Sequence, residues 1–184
     1  MNNIELAFLF MVKANKGKKF KFDDIDRSFH SVCVGTMLMQ LSDIPEQIVV
    51  AGILHDIINE TDCGYEEIEH EFGSKIADIV STVSEDLSIA KWLERKKDFI
   101  KRIRKIEDSM ILNIVLADKI NYLHILKNCI KDTDKISKYS GGSPSENKYF
   151  YREIYNICEA KQCSKYLLNR YSEILLDFFD DVEF

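Results

Sequence analysis

The chain has 184 residues, 46% of them hydrophobic and 30% charged, with a formal net charge of −6; that is ample for one compact domain over residues 1–184 and too short to expect two. An acidic balance argues against a general nucleic-acid binder, because affinity for a phosphate backbone needs a basic face. No apolar run reaches the roughly 18 to 20 residues of a membrane span, and residues 1–15 hold no signal-peptide cleavage pattern, so the sequence reads as soluble and cytoplasmic, with no membrane partner.

Only two prolines and seven glycines interrupt the chain, and apolar residues recur at spacings of three and four, so the expected fold is all-α, without strands. Helices are predicted over 3–14, 28–41, 45–59, 65–71, 73–83, 89–105, 108–129, 145–161 and 163–179. A basic stretch, Lys13, Lys16, Lys18, Lys19 and Lys21, precedes the second helix. On that helix Phe29, Val32, Cys33, Thr36 and Met37 form an apolar stripe at helical spacing, with His30 beside it. The third helix starts at Pro45, where a missing N–H loses nothing. It carries the apolar run 48–58, into which His55 and Asp56 are set. Asn59 and Glu60 follow four residues after His55 and Asp56, one turn further along.

Gly64 and Gly73 punctuate the next two turns. Asp118 interrupts the apolar run 111–120, and Asn121, three residues on, shares its face. Residues 135–145 have the Gly/Ser/Pro mixture of a loop, with Ser143 or Ser145 as cap for the helix that carries Tyr149. The final helix packs through Tyr166, Leu167, Leu168, Tyr171, Ile174, Leu175 and Phe178 onto a core of about residues 5–160, or else serves a homodimer contact. Five cysteines without a C-x-x-C pair read as reduced thiols, with Cys33, Cys129 and Cys158 buried as small hydrophobes. Arg95 and Lys96 read as surface or interhelical ion pairs, and His70 and His124 as solvent-facing.

Core packing does not explain an imidazole and a carboxylate side by side in an apolar run. Burying an unpaired carboxylate costs several kcal/mol or more, so a cation or a strong donor is expected to meet Asp56. Adjacent helical residues point about 100° apart, so one ion can serve both only in a crevice between this helix and its neighbours. The candidate ligands are His30, His55, Asp56 and Asp118, each in its own apolar setting. Two imidazoles and two carboxylates suit Mn²⁺, Fe²⁺, Mg²⁺ or Zn²⁺ with positions left open to water, which points to water-activating chemistry.

The order His, then His-Asp, then Asp resembles the HD-domain metal-dependent phosphohydrolases, and the surrounding text is similar to the RelA/SpoT-type hydrolase domain and small alarmone hydrolases. The likeness takes in the basic stretch 15–21 ahead of His30, residues 51–56, residues 65–76, the turn 83–86, the pair Arg95-Lys96 and residues 116–121. It implies an HD-domain helical bundle, Mn²⁺ or another divalent metal as cofactor, and a nucleotide substrate. The leading reaction is removal of the 3′-pyrophosphate from guanosine 3′,5′-bis(diphosphate). By the same resemblance Lys18, Lys19 and Lys21 supply charge for phosphates, and Phe20 stands where relatives place a basic residue against the purine. Asn121 touches ribose and Tyr149 lines the nucleotide pocket.

The relatives carry Glu-Asp where this chain has Asn59-Glu60. Asn cannot exchange a proton near neutral pH, so acid/base work on the attacking water falls to Glu60. Glu60 does that work alone, or the substrate is another nucleotide, or the domain is catalytically impaired and senses metal and nucleotide.

Overall fold

A capping box opens the first helix, α1 (Asn3–Ala14): the Asn2 side chain accepts from the Glu5 N–H, and the Glu5 carboxylate takes the Asn2 N–H. This is a computed structural model that describes residues 1–21, 24–129 and 139–179; residues 135–138 of the expected loop lie outside them. The described residues are helical, apart from turns and one isolated antiparallel bridge between Lys19 and Asp26. None of the described helices is long and apolar enough to cross a membrane. The chain divides into two compact units, Met1–Ser84 and Glu85–Phe184.

In the first unit α2 (Arg27–Met39) starts at Asp26, whose carboxylate accepts the Ser28 N–H at 2.8 Å. Its buried face is His30, Ser31, Val34, Gly35, Met37 and Leu38. This corrects the expected stripe: Phe29 and Val32 are 52% and 38% exposed. The reason is shape. A Cβ on Gly35 would lie 2.5 Å from Ile53 Cγ1, and one on Gly52 would lie 2.1 Å from Leu38 Cδ1. The two glycines therefore let α2 and α3 (Glu46–Leu54) approach closely, and this contact fixes which side of α2 turns inward.

Every residue of 48–54 on α3 is buried, and the helix packs against α1, α2 and α6 (Ser74–Val83). It is the centre of this unit. The single helix expected over 45–59 is broken: α3 ends at Leu54, and a short α4 (Ile57–Glu60) follows. The cause is local. His55 Nδ1 sits 2.8 Å from the Gly52 carbonyl oxygen, the acceptor that the Asp56 N–H would use in a continuing helix. Asp56 turns to φ −94°, ψ −7° as the N-cap of α4. α5 (Tyr65–Phe72) and α6 close the unit as a packed pair around Gly73.

The second unit holds α7 (Trp92–Ile103), α8 (Ser109–Cys129), α9 (Pro144–Ala160) and α10 (Lys165–Phe178). α9 packs on α7, α8 and α10. Ser143 caps α9 in a box with Glu146, with Pro144 in the first turn. The indole of Trp92 donates to the Ser140 carbonyl at 2.6 Å. Gly141 and Gly142 press on that ring with φ of 78° and 70°, a close approach and a conformation that suit glycine. On α10 Leu167, Leu168, Tyr171, Ile174 and Leu175 are buried as expected, but Tyr166 is exposed. Cys158 and Cys163 are the buried thiols; Cys33 and Cys129 are only partly buried, which corrects the expected set.

Candidate active site

In the first unit His30 from α2 and His55 from the α3–α4 break are 2% and 3% exposed, and their Nε2 atoms lie 3.1 Å apart. The Gly52 carbonyl can only accept, so His55 carries its proton on Nδ1. Its Nε2 lone pair therefore points at His30. Asp56 completes the group, with Oδ1 3.5 Å from His55 Nε2 and Oδ2 3.7 Å from His30 Nε2. At the break the side chains of these two adjacent residues come to one point. Ser84 Oγ donates to the His55 carbonyl at 3.3 Å and tethers the break to the end of α6.

Two buried imidazole nitrogens facing one another beside a carboxylate fit a divalent cation. The orienting carbonyl behind His55 is the usual outer partner of a metal-bound histidine.

Beside this group lies an acid and its cation. Arg27 Nη2 is 2.8 Å from Glu60 Oε1 and 3.8 Å from Asp56 Oδ2. Burial pushes the Glu60 carboxyl above the ordinary carboxylate range; Arg27 and Lys21 pull it back, while Asp56 adds to the rise. Glu60 is thus a carboxyl held near two of the metal candidates, with its pKa moved toward neutrality. Asn59, on the same short helix, is half-buried.

The basic stretch divides. Lys21 is exposed and acts on Glu60, Lys19 is paired with Asp24, and Lys18 is half-buried. Phe20 is 5% exposed, edge-on to His30 at 6.1 Å between ring centroids and beneath the Arg27 guanidinium at 4.8 Å. It is a wall for His30 and Arg27 rather than a ring open to a base.

Asp118, Asn121 and Tyr149 belong to the second unit. Asp118 and Asn121 are both buried on α8, and Asp118 Oδ2 lies 2.5 Å from Lys119 Nζ. Tyr149 on α9 is 47% exposed. Arg95 and Lys96 form the expected ion pairs, both on Glu85, with Arg95 Nε 3.0 Å from Glu85 Oε2. Burial pushes the Glu85 carboxyl up, but Lys96, Lys119 and Arg95 more than reverse it, so the group sits below its ordinary range. His70 is exposed as expected, whereas His124 is partly buried and its imidazole is lowered by that burial.

A family model described as HD domain matches residues 7–140. The chain belongs to the HD-domain family. Among curated proteins, this HD domain is 32% identical over 101 residues to guanosine-3′,5′-bis(diphosphate) 3′-pyrophosphohydrolase MESH1 of Danio rerio, covering 54% of the chain and 55% of that protein. The MESH1 of Drosophila melanogaster is 33% identical over 99 residues, covering 53% and 54%. The bifunctional (p)ppGpp synthase/hydrolase SpoT of Escherichia coli K12 is 28% identical over 102 residues, covering 53% and 14%. The chain thus spans about half the length of the MESH1 proteins it matches.

Among solved structures, one described as a metazoan ortholog of SpoT that hydrolyzes ppGpp superposes with a TM-score of 0.80 at 21% identity, covering 96% of each chain. A Listeria monocytogenes protein superposes at 0.71 with 24% identity, covering 83% and 94%. These two likenesses support the HD-domain fold.

Arg27 is the site residue that the sequence reading missed. Its signal was present in the spacing, since it lies three residues before His30 and a helix places such residues on one face. Ser84 had no comparable signal: only the packing of α6 on α3 brings it to the break.

Proposed function

We propose that the chain is a cytoplasmic, divalent-metal-dependent phosphohydrolase that removes the 3′-pyrophosphate from guanosine 3′,5′-bis(diphosphate), with Mn²⁺ as the ion and the 184 residues acting as one hydrolase domain. The observation that carries this reading is the 3.1 Å convergence of the His30 and His55 imidazoles beside Asp56, with the Arg27–Glu60 pair next to it. The substrate is taken from the names of the matched relatives. His30, His55 and Asp56 would hold the metal, with Asp118 as the fourth ligand that the sequence suggests. When bound, such an ion lowers the pKa of a water molecule and neutralises phosphate charge.

The remaining work belongs to the chain. Glu60 orients the attacking water and accepts its proton; a carboxyl raised toward the working pH is better suited to that exchange than an ordinary one. Arg27 fixes the Glu60 carboxylate and adds positive charge for the phosphate. Asn59 can only orient by hydrogen bonding. Lys18, Lys19 and Lys21 provide charge for the distal phosphates, and Asn121 the ribose contact.

The test is phosphate and pyrophosphate release by the purified protein with added Mn²⁺. The panel holds guanosine tetraphosphate, NADPH and simple nucleoside mono- and triphosphates, with His55→Ala/Asp56→Ala as the blank. Pyrophosphate from guanosine tetraphosphate, absent in the blank, is expected. Release from another nucleotide alone keeps the mechanism and removes the substrate.

Asn59 favours a second reading, an impaired HD domain that binds metal and nucleotide as a sensor. On that reading Asn59→Glu restores the relatives' paired acids and raises hydrolysis at least tenfold. On the first reading it changes little.

A further inference from the structure

From Ser28 to Gln40 the sequence has no Asp, Glu, Lys or Arg, in a chain of which 30% is charged. This stretch is nearly all of α2, whose inner face carries His30. Its outer side is exposed at Phe29, Val32, Thr36 and Met39, with Phe29 at 52%, Val32 at 38% and Met39 at 43%. Every other described helix of ten residues or more exposes charged side chains, such as Glu5 and Lys13 on α1, Lys75 and Asp78 on α6, and Lys165, Glu173 and Asp177 on α10. Nothing in the proposed hydrolysis uses the outer side of α2.

The spacing of the four is regular. Steps of three, four and three residues are the a and d positions of a heptad. At about 100° per residue the four side chains fall within an arc of about 80°. The solvent side of a surface helix is ordinarily polar and charged. Single exposed apolar residues are common, but a ridge of three around one threonine, with no charge beside it on the helix, marks a contact surface. α1, which packs against α2, exposes two more apolar side chains, Leu9 and Val12.

Charge selects what can cover this ridge. Two copies of a chain with net charge −6 repel one another where they meet through acidic surface, and a face without charge is where they meet without that cost. A membrane-seeking helix borders its apolar side with lysine and arginine, and a contact with a different protein draws its discrimination from charged neighbours. Residues 28–40 offer neither. The ridge is also matched to itself. Turned end to end at the level of Val34, Phe29 meets Met39 and Val32 meets Thr36, so an aromatic ring faces a thioether at each end and smaller side chains meet near the axis. We infer that α2 is a dimerisation helix, pairing antiparallel with α2 of a second copy about a two-fold axis. The inference uses no residue of the metal site and is independent of the hydrolase reading.

Sedimentation velocity of the full chain reads the pairing directly. Over about 1 to 100 µM a contact of this size is expected to give a reversible dimer with a Kd on the order of 10 µM. Thr36→Glu sets an unpaired carboxylate into the contact and is expected to weaken it about tenfold or more. Met39→Glu is expected to do the same from the end of the ridge. Ser81→Glu puts an equal charge on the exposed side of α6 and is expected to leave the Kd within about twofold of the parent. Circular dichroism melts verify the fold of each variant, and Thr36→Lys replaces Thr36→Glu should that variant melt early.

The antiparallel register has its own test. Val32→Lys alone is expected to weaken the dimer. Mixed with Thr36→Glu it is expected to pair at least about threefold more tightly than either variant alone, because the ammonium of one copy then meets the carboxylate of the other. A mixture that pairs no more tightly than its parts overturns the inference. So does a chain that stays monomeric throughout the range, and sedimentation of that monomer with phosphatidylglycerol vesicles assigns the ridge to a membrane instead. A dimer indifferent to Thr36→Glu and Met39→Glu in folded protein places the contact elsewhere and overturns it as well.

Discussion

Glu60 draws its character from two opposed neighbours, the buried surroundings that push its carboxyl up and the Arg27 guanidinium 2.8 Å away that holds it charged. Because Asn59 beside it has no proton to give or take, proton transfer rests on a single side chain. Glu60→Gln keeps the shape and the hydrogen bond to Arg27 and removes only the exchangeable charge. The expected result is a fall in kcat of about 10²–10⁴-fold with guanosine tetraphosphate, with Mn²⁺ affinity measured by calorimetry within about twofold of the parent. A kcat within a factor of about three would place the proton elsewhere. Arg27→Ala, which leaves the carboxylate in place but unheld, is expected to cost about tenfold in kcat/KM.

The junction of α2 and α3 decides whether His30 and His55 meet, and it is built on two glycines. Gly→Ala inside a helix ordinarily stabilises by up to about 1 kcal/mol, because alanine is the better helix former. At Gly35 that sign reverses: the added Cβ would lie 2.5 Å from Ile53 Cγ1 and 3.3 Å from Phe8 Cζ, and Ile53 is wholly buried with nowhere to move. Gly35→Ala is expected to destabilise by about 1–3 kcal/mol. For a chain of this length that is a drop in Tm of roughly 2–4 °C per kcal/mol in a thermal melt. A Tm equal to or above the parent's would show that the helices can part at no cost.

The same junction shows what was legible in the sequence. Periodicity gave helix type and approximate position, because apolar spacing on α1, α6 and α10 is set by burial on one side. It misplaced the inward face of α2, because it weighs Phe29 and Val32 by their hydrophobicity and takes no account of the room that Gly35 leaves. It also ran one helix through His55 and Asp56, since nothing in residue spacing reports that an imidazole will take the Gly52 carbonyl. The HD pair itself was legible, an ionisable dipeptide in an apolar run with no packing reason to be there.

At the scale of the whole molecule, stability should carry two signatures, one of protons and one of metal. Glu85 is ionised in the fold with its pKa below the ordinary value, so it contributes stability above about pH 4.3, the unfolded value. That contribution is lost as pH falls through the lower folded value. Glu85→Gln strands Lys96 beside Phe150 without its carboxylate and is expected to cost about 3 kcal/mol or more near pH 7. Urea melts from neutral pH down to acid should show the gap between parent and variant narrowing on the acid side of about pH 4.3. A gap that stays constant would mean that the lost packing, and not the lost charge, is responsible.

The metal signature bears on the proposed ligand set. An ion that binds only the folded chain stabilises it by RT ln(1 + [L]/Kd), about 2.7 kcal/mol at a hundredfold excess over Kd, or roughly 5–10 °C in Tm here. Melts in EDTA and in saturating Mn²⁺ should differ by about that much for the parent, and the difference should vanish in His55→Ala/Asp56→Ala. Asp118 sits on α8, outside the unit that carries both histidines, so Asp118→Ala isolates its part. If it is a ligand, its removal takes most of the Mn²⁺ increment, read as the difference between the variant's own EDTA and Mn²⁺ melts, because loss of the partner of Lys119 lowers both. An increment that survives intact confines the ion to His30, His55 and Asp56, and leaves Asp118 to its partner Lys119.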